Sequence, residues 1–202
     1  MRIYGLTGGT GSGKSEAARR FQEHGIPVID ADAAGHEAIA PGGAAERKVI
    51  AAFGEGILTN GEIDRAKLGA IVFADQTARE KLNAIVHPAI REGIGQRCAA
   101  FAREGHDLVV VDAALIGEGL ARGMHLDGVI LVMAPAHLRR KRLMEGRGLT
   151  RAEADRRMAA QVPPAKKLAM ADWVIHNESD KDTLYARVDA IVQELRSHAR
   201  GT

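Results

Sequence analysis

The chain has 202 residues, of which 46% are hydrophobic, enough for one α/β domain with a packed core. Its 28 Lys and Arg nearly balance 26 Asp and Glu, and aromatic residues make up only 3%, so a nucleic-acid partner is not expected. The single cysteine, Cys98, excludes an intramolecular disulfide and is expected to be a buried apolar residue of a helix. No leader and no membrane-length apolar run is recognisable, so we expect a cytoplasmic protein without a membrane partner.

The first segment joins a short apolar strand, residues 3–7, to a helix, residues 14–24, that Gly25 ends. Between them, residues 8–15 read GGTGSGKS and fit the P-loop pattern G-x-x-x-x-G-K-[ST] at every fixed position. In such a loop the backbone N–H groups surround phosphate oxygens, Lys14 supplies a positive charge, and Ser15 offers a hydroxyl to Mg²⁺. The sequence therefore predicts a site for a nucleotide triphosphate. Its predicted residues are Gly9, Thr10, Gly11, Ser12, Gly13, Lys14, Ser15 and the adjoining Glu16.

A second short strand, residues 27–29, leads into Asp30 and Asp32. The two-residue period of a strand would place both carboxylates on one face beside the P-loop, where one could orient or deprotonate an acceptor hydroxyl. The alternative is that Asp32 only caps a helix that begins near Ala33. The neighbouring P-loop favours the catalytic interpretation.

Residues 33–104 have helical spacing throughout and are interpreted as an insertion between the second and third strands. The pair His87-Pro88 is predicted to start a new helix, with Pro88 at its first position. A histidine in such a place is more often a packing or capping residue than a catalyst. The predicted breaks in the insertion lie at residues 41–43, 54–56, 60–61 and 87–88.

Residues 108–111, 128–132 and 173–175 predict three further strands of a parallel sheet covered by helices. The run at 108–111 is continuous Leu and Val, which is typical of a central strand. It ends at Asp112, where ligands gather in open α/β sheets, so Asp112 is a candidate acid of the Walker B type. Residues 181–199 form an amphipathic stretch that we interpret as a structural helix.

The segment 139–165 is predicted to form a basic, hinged lid. It contains the run RRKR at 139–142 and a turn at 146–148, followed by a helix that Thr150 and Glu153 begin as a capping box.

Consecutive residues of a helix face different directions, so part of the basic run is expected to be a solvated surface. We select Arg142 and Arg147 for contact with the transferred phosphoryl group, because a mobile arginine segment can neutralise its charge.

In this order the segments resemble the dephospho-CoA kinase family, whose members phosphorylate the ribose 3′-hydroxyl of dephospho-CoA. The resemblance covers nearly the whole chain and implies a P-loop NTPase fold of three layers with a five-stranded parallel sheet. It also implies a core at about 1–32, 105–138 and 166–202, a helical substrate insertion at about 33–104 and a lid at about 139–165. The matching motifs are the P-loop, DAD at 30–32, GEIDR at 61–65, IVHP at 85–88, RLM at 142–144, GLT at 148–150, AQ at 160–161 and AD at 171–172.

The resemblance also implies residue roles. Asp32 matches the general base toward the 3′-hydroxyl, and Arg142 and Asn177 fall near ATP. ATP and Mg²⁺ are the expected cofactors, with Ser15 on the metal, and dephospho-CoA is the expected small-molecule partner of a monomer or weak homo-oligomer. The predicted catalytic residues are Asp32, Lys14 and Arg147, and the predicted substrate-binding residues are Asp32, His36, Arg65, His87 and Asp112.

Three positions depart from the family pattern. Glu16 stands where Thr is usual, and an acid so close to the phosphates is expected to weaken nucleotide affinity. Residues 112–118 read DAALIGE instead of D-x-P-L-L-F-E, which loosens the loop beside the acceptor. Gly146 stands where Arg is common, so the lid role is assigned to Arg147.

Two other functions remain open. A kinase for another small hydroxylated metabolite or a nucleoside monophosphate is supported by the altered residues 114–117. A nucleotide-dependent switch without catalysis is disfavoured, because residues 177–180 read NESD and lack the Lys of an N-K-x-D element.

Overall fold

The computed structural model describes residues 1–113 and 123–200. This part of the chain contains both helices and strands, and five of the strands form a parallel sheet. The strands are β1 (Arg2–Gly8), β2 (Val28–Asp30), β3 (Leu58–Thr59), β4 (Glu62–Ile63), β5 (Leu108–Asp112), β6 (Gly128–Met133) and β7 (Trp173–His176). The helices are α1 (Lys14–Glu23), α2 (Ala31–Ile39), α3 (Glu46–Phe53), α4 (Arg65–Ala74), α5 (Gln76–Arg103), α6 (Ala136–Arg147), α7 (Arg151–Ala159), α8 (Pro164–Leu168) and α9 (Lys181–Arg200), with a 3-10 turn at Glu55–Ile57.

The main sheet has the strand order β2-β5-β1-β6-β7. Strand β1 pairs in parallel with β5 on one side, where Tyr4 lies opposite Val110, and with β6 on the other, where Tyr4 lies opposite Gly128. Val109 and Val110 are fully buried, as expected of a parallel strand covered on both faces. The predicted α/β class and the five-stranded parallel sheet are confirmed.

The first of two compact units contains Met1–Ile29 and Cys98–Thr202. In it, α1 and α9 contribute to one hydrophobic core with the sheet. The apolar face predicted for the C-terminal helix is buried, and each large aliphatic side chain removed from water contributes about 1.5–3 kcal/mol. Its buried residues are Leu184, Val188, Ile191, Val192 and Leu195.

The second unit spans Asp30–Arg97 and is not wholly helical. Strands β3 and β4 form a small antiparallel hairpin around Asn60 and Gly61. Both of these turn residues have positive φ, 54° and 83°, which is the backbone conformation that a two-residue hairpin turn of type I′ requires. The turn falls on the break predicted at residues 60–61, but the prediction of a purely helical insertion is wrong for the two strands that flank it.

The predicted helix start at Pro88 is also wrong, because α5 continues through this proline. A proline inside a helix costs about 3 kcal/mol or more, since it removes a hydrogen bond and crowds the preceding turn. Against this, Val86, Ile90, Ile94 and Cys98 recur every four residues and are all buried. The free energy gained by burying these four side chains exceeds the cost of the proline. Cys98 lies in a helix and is buried, as predicted.

Candidate active site

The P-loop connects β1 to α1, as the sequence predicts. Gly13 occupies the position before α1 with φ 92°, and a Cβ atom there would lie 2.1 Å from Nδ2 of Asn177. Any side chain at this position would therefore be strained and would clash. The first N–H groups of α1 follow directly, and a helix N-terminus favours bound anions. The loop geometry is thus suited to phosphate.

Arg142 and Asn177 form hydrogen bonds to backbone carbonyls of the P-loop. The Nδ2 of Asn177 donates to the Ser12 carbonyl at 2.8 Å, while its Oδ1 accepts from Arg142 at 3.1 Å. Arg142 also donates to the Gly11 and Ser12 carbonyls at 3.5 and 3.4 Å. Asn177 is only 5% exposed, so its polar atoms are satisfied by the loop and by Arg142 rather than by bulk water. The structure therefore brings both predicted ATP-site residues against the loop.

Lys14 is ion-paired with Asp112, the residue that ends β5. Both side chains are mostly buried, with exposures of 16% and 13%.

Ser15 follows in the first turn of α1 and is exposed. Among the described residues no group of three or more His, Cys, Asp or Glu could hold a metal. A hydroxyl and a carboxylate fit Mg²⁺, which commonly takes one or two protein ligands together with water and substrate phosphates.

The carboxylate of Glu16 engages three donors. Its Oε1 accepts from the hydroxyl of Tyr185, from Arg19 Nη2 and from Lys181 Nζ, each at 2.5 Å. Two positive charges therefore offset this acid, which reduces its repulsion toward a bound phosphate. The expected loss of nucleotide affinity stays a prediction.

The basic run at 139–142 separates into four environments. Arg139 is buried, Arg140 pairs with Asp155 at 2.6 Å, Lys141 reaches Glu145 at 3.9 Å, and Arg142 lies on the P-loop. The four side chains thus do not meet one ligand, as the helical spacing predicts.

The capping box of Thr150 and Glu153 is present at the start of α7. The turn predicted at 146–148 involves fewer residues than expected. Helix α6 continues through Arg147, and of these three residues only Gly148 has a positive φ, 63°. Arg147 is exposed at the end of α6.

Two side chains that contact the P-loop were not selected from the sequence. Arg139 Nε donates to the Thr10 carbonyl at 2.8 Å, and Gln161 Oε1 accepts from the Thr10 N–H at 2.7 Å. Arg139 precedes Arg142 by three residues and so shares its side of α6, a spacing that could have indicated it. Gln161 follows the end of α7. The only sequence signal for it is the family motif AQ at residues 160–161.

Asp30 and Asp32 have different positions from those predicted. Strand β2 ends at Asp30, and α2 begins at the next residue, so the two carboxylates do not share a strand face. Asp30 is the N-cap, since its Oδ1 accepts from the N–H groups of Asp32 and Ala33 at 2.8 and 3.0 Å. The alternative in which Asp32 caps the helix is therefore wrong. The carboxylate of Asp32 is exposed in the first turn of α2.

The second unit also brings together His36 and Arg65. Arg65 Nη2 donates to His36 Nε2 at 2.6 Å, and because arginine only donates, the imidazole nitrogen must accept. His36 follows Asp32 by four residues on α2, so both lie on one side of that helix.

His87 is 9% exposed within α5, and burial, followed by the charge of Arg91, lowers the pKa of its imidazole. Burial therefore favours the neutral imidazole of His87.

A P-loop that leads from the central strand of a five-stranded parallel sheet, with Lys14 paired to the acid of the next strand and Arg142 on the loop, defines a P-loop kinase. The comparisons with known proteins agree. The family model described as "Dephospho-CoA kinase" matches residues 2–182. The chain belongs to the dephospho-CoA kinase family.

Relatives match over nearly their whole length. A dephospho-CoA kinase of Geobacillus kaustophilus is 46% identical, with 94% of each chain covered. The crystal structure of TT1252 from Thermus thermophilus has a TM-score of 0.82 at 34% identity, covering 96% of this chain and 97% of the other. A dephospho-CoA kinase from Campylobacter jejuni has a TM-score of 0.60 at 25% identity, covering 96% of both chains. The family resemblance predicted from the sequence is confirmed.

No helix of the described part of the chain is both long enough and apolar enough to cross a membrane. The altered residues 114–117 lie outside the described residues.

Proposed function

We propose that this chain transfers the γ-phosphate of ATP to the ribose 3′-hydroxyl of dephospho-CoA, giving coenzyme A and ADP. Membership of the dephospho-CoA kinase family supports the substrates. The observation that supports the chemistry is the P-loop held by Arg142 and Asn177, with Lys14 paired to Asp112. A kinase for a different small metabolite or a nucleoside monophosphate is not favoured, because relatives named dephospho-CoA kinase match over nearly the full chain.

The P-loop binds the triphosphate through its backbone N–H groups. Lys14 exchanges its contact with Asp112 for the β- and γ-phosphates, and its positive charge stabilises the charge that develops on the transferred group. Arg142 and Asn177 keep the loop in the conformation that the phosphates require. Positioning and charge neutralisation supply most of the rate in such a transfer.

Ser15 and Asp112 are the proposed protein ligands of Mg²⁺, the carboxylate directly or through water. When bound, the ion would neutralise negative charge on the phosphates. ATP and Mg²⁺ are thus the two proposed cofactors.

Asp32 is the proposed general base. It takes the proton of the 3′-hydroxyl as the new bond from that oxygen to phosphorus forms and the bond from phosphorus to the ADP oxygen breaks. The exposed carboxylate is free of the capping role, which Asp30 fills. His36, Arg65 and His87 are the proposed contacts to dephospho-CoA in the second unit.

Arg147 is proposed to close over the phosphates as part of a lid formed by residues 139–165. The enzyme is proposed to act in the cytoplasm as a monomer or weak homo-oligomer, with no nucleic-acid partner.

An acceptor panel tests the function. ADP release is followed with ATP and Mg²⁺ against dephospho-CoA, nucleoside monophosphates and shikimate, and the phosphorylated position is read by phosphorus NMR. We expect turnover with dephospho-CoA and phosphate on the 3′-oxygen. Turnover of another acceptor while dephospho-CoA stays inert would reject the proposal.

A further inference from the structure

Thr10 has both of its backbone polar groups bound by side chains of the lid segment. Its N–H donates to Gln161 Oε1 at 2.7 Å, and its carbonyl accepts from Arg139 Nε at 2.8 Å. Arg139 Nη2 also donates to the same Gln161 oxygen at 3.1 Å. The three residues therefore form a closed cycle of hydrogen bonds on the P-loop.

The chemistry of the cycle determines which end of the Gln161 carboxamide faces the loop. The Thr10 N–H and the Arg139 guanidinium are both donors, and only the amide oxygen can accept from both. With its nitrogen toward them, Gln161 would leave two donors without a partner. Arg139 thus orients Gln161, and Gln161 in turn binds Thr10.

Arg139 is a buried part of this arrangement. It is 8% exposed, and burial lowers the pKa of its guanidinium. Its guanidinium donates to the Thr10 carbonyl and to Gln161 Oε1. A Cβ atom at Gly9 would lie 2.6 Å from the guanidinium carbon, so the glycine allows Arg139 to lie flat against the loop.

The cycle joins the P-loop to two helices. Arg139 lies on α6, while Gln161 lies just beyond the end of α7. The pair of Arg140 and Asp155, at 2.6 Å, connects α6 to α7 independently. A displacement of α7 relative to α6 therefore acts on the Thr10 peptide through Gln161.

We propose that Gln161, oriented by Arg139, is a positioning residue that holds the P-loop in its triphosphate-binding shape and couples it to the lid segment. This inference rests on the nucleotide site of the proposed function and not on the identity of the acceptor. Gln161 touches no reacting atom in this role. It acts through Thr10.

The test compares Gln161→Met, which keeps the length but removes the acceptor, with Gln161→Glu, which keeps an acceptor oxygen. Gln193→Met is the matched control, because Gln193 is an exposed glutamine of α9 in the same unit. Hydrogen exchange of the Thr10 amide is measured in the absence of nucleotide, and ADP and ATP affinities are measured by calorimetry without any acceptor. Thermal unfolding shows whether each variant folds.

We expect Gln161→Met to fold, to speed exchange at Thr10 by about tenfold and to weaken nucleotide binding by about five- to tenfold, as loss of the hydrogen bond from the Thr10 N–H predicts. Gln161→Glu should retain slow exchange at Thr10, and the Gln193 control should match the parent. Unchanged exchange in Gln161→Met, or faster exchange with unchanged affinity, would overturn the proposal. Since no acceptor is present, neither result depends on whether dephospho-CoA is the substrate.

Discussion

Lys14 of the P-loop is ion-paired with Asp112 at the carboxyl end of the neighbouring strand β5. The pair joins two segments that are 98 residues apart in sequence, and both side chains are mostly buried. It keeps the Lys14 ammonium neutralised and close to the loop, so that little side-chain freedom remains to be lost when phosphate binds.

Asp112→Asn should lower kcat by about 10²-fold or more, because it removes a carboxylate proposed to serve Mg²⁺. The Mg²⁺ concentration that gives half-maximal rate should rise. Initial rates across a Mg²⁺ titration measure both effects, and Asp182→Asn on the exposed side of α9 is the matched control. A variant with the parent's Mg²⁺ dependence would show that the Asp112 carboxylate is not a ligand of the metal.

Asp32→Asn should keep ATP binding but reduce phosphoryl transfer by about 10²- to 10⁴-fold, the range typical of a lost general base. Calorimetry with ATP and single-turnover ADP release separate the two quantities. Asp30→Asn makes the same chemical change two residues earlier and should preserve turnover, since asparagine also caps helices well. If Asp32→Asn loses ATP binding instead, its carboxylate serves the metal or the fold.

Arg147→Ala should cut turnover by roughly 10²-fold or more if its guanidinium closes over the phosphates. Its exposed position at the end of α6 means that thermal stability should barely change. Steady-state ADP release and thermal unfolding give the two measurements. An unchanged rate would assign the lid role to Arg140 or Arg142.

Stability should fall in mild acid because of His87. Burial lowers its pKa in the folded protein, so the unfolded chain binds the proton more tightly. The stability that depends on neutral His87 is fully present above the pKa of the unfolded chain, about 6.5, and is lost as the pH falls below that value. The thermal unfolding temperature should therefore fall less between pH 8 and pH 5 in His87→Gln than in the parent. His137→Gln, at an exposed histidine, should follow the parent.

The sequence by itself determined the P-loop, the five strands and the capping box of Thr150 and Glu153. Each depends on local residue types at fixed spacing, and local geometry follows from them directly. The continuous Leu and Val of β5 likewise identified a central strand, and the ordered motifs identified the family. The residue-level roles of Asp32 and Arg147 remain predictions.

Only the tertiary structure decided which donors meet which acceptors. Pro88 is a strong local signal for a helix start, yet the buried stripe of α5 carries the helix through it. Asp30 became the cap because α2 begins at Ala31, two residues before the start near Ala33 that the pattern indicated. Arg139 and Gln161 meet at Thr10 across more than 100 residues of sequence, as the separations of 129 and 151 residues show. Such contacts depend on the packing of whole helices, which no local spacing encodes.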